Sequence, residues 1–456
     1  METDFETRKQ ELLDEGTVAP QIFDRVMPRL ERFMEPFVEG LVRKEQVDHA
    51  KTFVQGLLSD LDQKNVESIA YRFGQDRMPL QWFIGMSDWD DVSLRKELVR
   101  QVGQELGEDD GVVVFDPSGF PKSGQESVGT ARQWCGRLGK VDNCQVAIYM
   151  GYASRREHAL VDMRLYLPRE WTKDAQRRKK ASIPKGIRYR TRHQLCLEML
   201  KENAEQLSHA WIAGDDEMGR PYWFRRRLNG LGERYLLAVP SNTLVRDLEV
   251  DPPAYAGRGR RPNRPWTRVD KWVAALGESA WTKVDVRDGA KGPLVVQVVK
   301  RRVVGRTEKR QQGHEEVLVV IRYRDRDDRR VVKTDYYLSN GSPDIPLAEF
   351  ARVAKAEHRI EECIQRSKSE AGLADYQVRN WKGWHHHQTL SLIATWFLVC
   401  EARRGKKMDT GHYRSADPRR HRPDPSSCVR MRYTLPHQNR SRPLAQTQRT
   451  GSPVPL

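Results

Sequence analysis

Apolar residues recur every three to four positions through most of residues 1–108, in RKQELLDEG, PQIFDRVMPRLERFMEPFVEGLV, KTFVQGLLSDL, NVESIAYRFG, MPLQWFIGM and DDVSLRKELVRQVGQEL. That is the spacing of helices with one buried face, and it predicts an N-terminal helical domain whose last helix is capped by Asp90 or Asp91. From 111 the period changes. GVVVFD, CQVAIYMGY and HALVDMRLYLP read as three consecutive strands, the first short and continuously apolar. A basic loop follows, then a helix around 193–206, a strand in HAWIAGDD, a helix in PYWFRRRLNGLG and a strand in RYLLAVP. Strands first in antiparallel order and then alternating with helices predict a mixed α/β sheet over 109–245.

Residues 246–342 contain a Gly/Pro/Arg linker, AYAGRGRRPNRPW, and three β-branched runs, LVVQVVKRRVV, EEVLVVIRYRDR and RRVVKTDYYLS. They are expected to form a separate β-rich insertion. Two long helices return over 343–406. Beyond 407 a Pro- and Arg-rich stretch without apolar periodicity predicts a disordered basic tail, which a shifted reading frame would equally produce.

Charge narrows the function. Seventy-nine Lys and Arg against 63 Asp and Glu give a net +16 spread along 456 residues, so a polyanion is the expected partner, nucleic acid before a membrane surface. No segment approaches the ~18 uninterrupted apolar residues of a membrane span, and the acidic N-terminus lacks a signal-peptide core. The six cysteines show no CxxC or CxxH pairing, which argues against structural zinc and suits a reducing cytoplasm.

Three carboxylates carry candidate chemistry. Asp116 is read as ending the first strand, Asp215 as leaving the strand of HAWIAGDD, and Glu361 lies within the long helix. Groups at strand ends gather at a sheet edge where ligands bind, and a helix packed across the sheet can bring a third carboxylate there. Convergent carboxylates repel unless a cation joins them, and hard oxygen ligands suit Mg²⁺, with Mn²⁺ as substitute. Two such ions would serve phosphodiester cleavage. Taken singly, each residue has a plainer explanation: a strand-ending aspartate often only forms a turn, and Glu361 can be a solvated helix residue.

The ordered set FDPSGFPKSGQESVG, GRLGKVDNCQV, AGDDEMGRPYWFRRRL, RYLLAVPSN and RIEECIQRSKSEAGLADYQVRNWKGWHHHQTL resembles the DDE transposases of bacterial insertion sequences over roughly residues 20 to 405. The resemblance implies a ribonuclease H-like catalytic domain, two-metal cleavage and strand transfer, double-stranded DNA as substrate at element ends and target, and a dimer in the DNA complex. Asp116 matches the first aspartate, Asp215 the second with Asp216 as rival, and Glu361 the glutamate. Lys368, seven residues on, matches a lysine that contacts DNA phosphate. The sequence departs from an extended signature with arginine four and tyrosine seven residues before the glutamate: these positions are Glu357 and Ala354, and Arg359 is the substitute arginine considered.

Further phosphate contacts are expected at Lys122 and in the densest basic stretch, Arg177, Arg178, Lys179, Lys180, Lys185, Arg188, Arg190 and Arg192. Arg258, Arg260, Arg261 and Arg264 form a second patch. Trp266 is a candidate base-stacking aromatic and more simply a core residue. His385, His386 and His387 face different sides of a helix, so an interface role is expected for them rather than a metal cluster. The competing functions are another ribonuclease H-like nuclease and a catalytically decayed DNA-binding remnant.

Overall fold

The computed structural model describes residues 25–259, 261–289, 292–325 and 330–412. The predicted helix at 8–16, Arg260 and the tail beyond 412 lie outside them. The N-terminal region is helical as expected: α1 Val26–Val38, α2 Lys44–Leu57, α3 Val66–Arg72, α4 Arg77–Gly85 and α5 Asp91–Leu106. Asp90 caps α5, its carboxylate accepting from the Val92 N–H at 3.0 Å, while Asp91 pairs with Arg95 one turn on. Leu94, Leu98, Val102 and Leu106 form the buried stripe of that helix. No helix among the described residues is long and apolar enough to cross a membrane.

The strands β1 (Val112–Pro121), β2 (Ala131–Cys135), β3 (Lys140–Ala153) and β4 (His158–Leu165) make an antiparallel flank. Beyond β4 come the short helices α6 (Arg169–Lys173) and α7 (Ala175–Lys180), then α8 (Arg192–Asn203). β5 (Trp211–Gly214) runs parallel to β1, and β6 (Tyr235–Ala238) parallel to β5. Between those two lie α9 (Asp216–Gly219) and α10 (Tyr222–Gly230). The result is the mixed α/β sheet expected of a ribonuclease H-like domain.

β7 (Leu244–Asp247), β8 (Thr267–Arg268), α11 (Val269–Ala274), β9 (Thr282–Gly289), β10 (Gly292–Arg306), β11 (Gln312–Arg324) and β12 (Val331–Ser339) follow. β10, β11 and β12, the three runs expected to form a separate insertion, do not stand apart. β12 pairs antiparallel with β6, Tyr337 opposite Ala238, so one sheet continues from the β2–β3 edge through to β8. The physical reason is the open edge of β6, which a β-branched strand covers. This half still has a core of its own, with Val239, Val245, Val269, Val303, Leu318, Val320 and Leu338. A buried ion pair, Arg225 Nε to Glu316 Oε1 at 2.8 Å, fastens β11 to α10, and the Tyr235 hydroxyl donates to the same carboxylate at 2.6 Å.

Two long helices complete the fold, α12 (Leu347–Glu370) across the sheet and α13 (Trp381–His412) between the sheet and the N-terminal helices. α13 extends to His412, into the stretch expected to be disordered. α12 sits close because Gly151 on β3 has no side chain: a Cβ there would come within 2.5 Å of the Ile360 side chain. That glycine sets the height of every group α12 presents to β1.

Candidate active site

β1 does not stop at Asp116. It runs on to Pro121 against β3, with Asp116 opposite Tyr149. What ends there is the parallel neighbour, because Phe115 pairs with Gly214, the last residue of β5. Beyond that point β1 is an edge on its β5 side, where a proline such as Pro117 is tolerated. Asp116 and Asp215 are therefore the next residues of two adjacent parallel strands, side by side where the pair opens.

The GDDEMG segment is held tightly around the second aspartate. A Cβ on Gly214 would press on Met218 and on the Phe115 carbonyl, and one on Gly219 would lie 1.8 Å from the Ala238 carbonyl oxygen. Both glycines let the short helix α9 lie flat on the sheet. Asp215 caps that helix, accepting from the Met218 N–H at 3.0 Å. Asp216, the rival assignment, is exposed and pairs with Arg220 at 3.2 Å, leaving Asp215 as the carboxylate that faces Asp116.

The electrostatics show which groups share one space. Burial, then the Asp215 and Glu361 carboxylates, pushes Asp116 well above the usual carboxylate range, with Lys368 opposing. Burial lifts Asp215 to about 7 despite its backbone hydrogen bond, and Glu217 and Asp216 add to the rise. Glu357, one turn before Glu361, is also driven well above its ordinary value, by burial and then by Asp215 and Asp116. It occupies the position where the extended signature has arginine, and sequence reading marked it only as a departure. Its spacing from Glu361 is the signal that puts it on the same helix face.

Glu361 itself is largely exposed and held low first by a hydrogen bond with His358, 3.5 Å from its Oε2. Lys368 reaches back over β1, Nζ to Ser118 Oγ at 2.7 Å, and its ammonium is pulled down by burial and raised by Asp116. Ser118 is two residues from Asp116 and so on the same strand face, a contact the alternation alone could have given.

Other candidates have different surroundings. Lys122 lies 3.7 Å over the Tyr376 ring, and burial lowers it to about 8. Arg359 donates to the Ser154 carbonyl at 2.5 Å. Ser154 follows the β3 residue paired with Val112, about 13 Å along the strand from Asp116, so Arg359 leaves the carboxylates. Within the basic stretch, Arg178 donates to the Pro184 and Ile187 carbonyls at 2.9 Å, Arg177 covers the Trp171 ring, Lys180 pairs with Glu126, and Arg190 pairs with Glu198 at 2.6 Å. Lys179, Lys185 and Arg188 are exposed. Trp266 stacks under Arg246, whose guanidinium lies 4.3 Å from its ring centre. The three histidines are buried, with His386 flat on Trp89 at 3.7 Å between ring centres. Burial lowers all three to about 4, so they pack as neutral rings.

The donor chemistry suits a hard divalent cation, since Asp215 and Glu361 impose on Asp116 a negative field that a cation would relieve. In these rotamers, with Asp215 turned to Met218 and Glu361 to His358, no three His, Cys, Asp or Glu among the described residues come close enough to hold one.

A sheet with a parallel centre, an antiparallel flank and a helix laid across it, with one aspartate on a central strand, a second just past the end of its parallel neighbour and a glutamate on that helix, defines a ribonuclease H-like fold of the DDE type. The chain belongs to the family described as DDE superfamily endonuclease, whose profile matches residues 36–293, more than half of its length, including both aspartates. A curated relative, the "Probable transposase for insertion sequence element IS701" of Microchaete diplosiphon, is 28% identical over 197 residues. That alignment covers 42% of this chain and 48% of the relative, so the chain spans about half the length of the curated protein it matches.

Proposed function

We propose that the protein is a transposase that cuts DNA at the ends of its element and joins the freed end to a target. Asp116, Asp215 and Glu361 would hold the divalent cations, two in number, Mg²⁺ by preference with Mn²⁺ as substitute. Bound there, the metal lowers the pKa of water and offsets charge on the phosphate oxygens. Hydrolysis adds water across a phosphodiester, leaving a 3′-hydroxyl and a 5′-phosphate. In strand transfer that hydroxyl attacks a target phosphodiester and a target 3′-oxygen leaves.

The protein's own groups set the conditions. Asp116 and Asp215 are oriented by two adjacent strands and need no rearrangement of backbone to meet. The Lys368 ammonium, beside Ser118 at 2.7 Å, stands where a phosphate oxygen would approach Asp116. Exposed Lys179, Lys185 and Arg188 add sequence-independent attraction for the duplex. Two ends must be held for joining, which calls for a dimer in the DNA complex, working in the cytoplasm on nucleoid DNA.

The observation carrying this reading is that Asp116 and Asp215 directly follow paired residues of two adjacent parallel strands, with the charges of Asp215 and Glu361 both felt at Asp116. A labelled element-end duplex incubated with Mn²⁺ tests it. Wild type should nick at the element boundary and transfer the end to plasmid, while Asp116→Ala should do neither. Equal nicking by the two proteins would refute the assignment.

A further inference from the structure

β2 and β3 form a hairpin that turns through Gly136–Leu138 and Gly139, whose φ of 61° a glycine adopts without strain. Pairing sets Trp134 opposite Val141, with Arg132 two residues before Trp134 on the same face. Apolar groups stand in solvent on this face and at the turn: Trp134 is 54% exposed, Val141 52% and Leu138 41%. The other face is committed. Cys135 is buried against β1, where a Cβ on Gly119 would lie 3.0 Å from its Sγ, and Gln133 accepts from Arg192 at 3.1 Å. Asn143 ties the hairpin to the end of β1, donating to the Lys122 and Gly124 carbonyls at 2.6 and 2.9 Å. The arm is fixed, and its apolar face is left open.

Successive residues of β1 point to opposite faces, and Lys368 meets Ser118 at 2.7 Å while Cys135 covers Gly119. Lys368 and the hairpin therefore hold β1 from its two sides, just past Asp116, and the Arg137 charge is felt at Lys368. The rim of the apolar face is cationic. Arg132 and Arg137 are exposed and form no ion pair among the described residues, and Asp142, the sole carboxylate of residues 131–143, is taken by Lys140 at 3.0 Å. A second copy seated face to face here would bring like charges together. A duplex instead brings phosphates to the rim. Trp134, Leu138 and Val141 can match only an apolar feature of its grooves, and the one methyl that a base pair displays is that of thymine, in the major groove. Two strands ~4.8 Å apart fit that groove, ~12 Å wide, and not the ~6 Å minor groove.

We propose that the β2–β3 hairpin lies in the major groove of the paired duplex next to the cut, where Trp134, Leu138 and Val141 pack on thymine methyl groups and Arg132 and Arg137 hold the flanking phosphates. The proposal rests on the DNA-processing reading above and adds to it a specificity element, a preference for T·A pairs at a fixed distance from the cleaved bond. Because the arm is fastened to β1, the pairs it reads set which phosphate reaches Asp116.

The test uses the full chain in EDTA, where binding is separated from cleavage. Two element-end duplexes are compared, one with a run of T·A pairs flanking the cut and the same duplex with deoxyuridine in place of each flanking thymine, which removes only the methyl groups. Wild type should bind the uracil duplex about fourfold more weakly for each methyl taken out of contact, a comparison that needs no variant. Trp134→Thr/Val141→Thr, which keeps β-formers on an exposed face, should bind the two duplexes alike, whereas Trp134→Phe/Val141→Ile should still tell them apart. Arg137→Ala should weaken both equally and shallow the salt dependence by about one charge. Discrimination that survives the double threonine change overturns the proposal. So does a DNA-free chain that sediments as a dimer in wild type and as a monomer in that variant, since the face would then cover a second copy. Equal binding of the two duplexes by wild type also overturns it and leaves DNA processing standing. Binding of neither duplex overturns both readings.

Discussion

Asp215→Asn isolates the electrostatic cost of the site, because asparagine caps a helix as well as aspartate does. The Met218 N–H keeps its acceptor and only the charge is removed. A carboxyl raised from 3.8 to about 7 in the folded chain binds its proton more tightly there than when unfolded. Stability is therefore greatest below pH 4 for this group and declines as pH rises to 7. At about 1.4 kcal/mol per tenfold change in affinity, the ionised Asp215 destabilises the metal-free fold by up to about 4 kcal/mol above pH 7. Urea unfolding in EDTA at pH 8.5 should find Asp215→Asn more stable than wild type by an amount approaching that bound. The difference should shrink to under ~2 kcal/mol at pH 5 and nearly vanish by pH 4. Saturating Mg²⁺ should reverse the order, since only wild type then gains binding energy. A variant no more stable than wild type at pH 8.5, or one whose advantage ignores pH, would show that Asp215 is not held in a repulsive field.

Other consequences are open to direct measurement. Mg²⁺ binding at pH 6.5 should release protons from Asp116 and Asp215, seen by calorimetry as a heat that depends on the buffer's ionisation enthalpy; a buffer-independent heat would contradict it. Glu361→Gln should cut Mn²⁺-dependent nicking by about 100-fold or more, whereas Glu357→Gln should stay within about tenfold of wild type and raise metal-free stability at pH 8; the reverse ranking in a nicking assay would make Glu357 the helix ligand. Glu316→Ala leaves Arg225 charged and buried and should cost about 3–5 kcal/mol in a denaturant melt; a change below about 1 kcal/mol would mean water reaches that pair. The three buried histidines, lowered from 6.5 to about 4, act in the opposite sense to Asp215. Their contribution is present above pH 6.5 and lost as pH falls toward 4, so the melting temperature of Asp215→Asn should drop steadily over that interval.

The sequence singled out candidate residues more readily than it gave their geometry. Asp116, Asp215 and Glu361 stand out because each leaves an apolar run or a helix face, and the charges of the last two are both felt at the first. Pro117 reads as a chain break, yet β1 continues through it. A strand loses its need for a donor wherever its neighbour stops, and the length of β5 is not written in β1. The continuity of the sheet past 246 was hidden for a similar reason: β12 pairs with β6 about a hundred residues earlier in the chain, and periodicity reports a strand but not its partner. β7, β8 and β9 were missed for their brevity or mixed composition. The 177–192 stretch looked like one phosphate-binding surface. Charge counts cannot tell that Arg178 and Arg190 are spent on carbonyls and a carboxylate while Lys179 and Arg188 remain in solvent.

The seating of α13 bears on how the protein can be re-engineered. His386 rests on Trp89 and meets the Ile84 carbonyl, His387 lies edge-on to Phe53, and the Lys64 ammonium donates to the Glu370 carbonyl at 2.6 Å. The helices α1 to α5 thus act as an outer wall of the sheet domain. Swapping them for a foreign targeting module would strip that wall, Trp89 included, and leave three uncharged imidazoles facing water. A retargeted enzyme is better built by fusion ahead of α1, with the bundle kept whole.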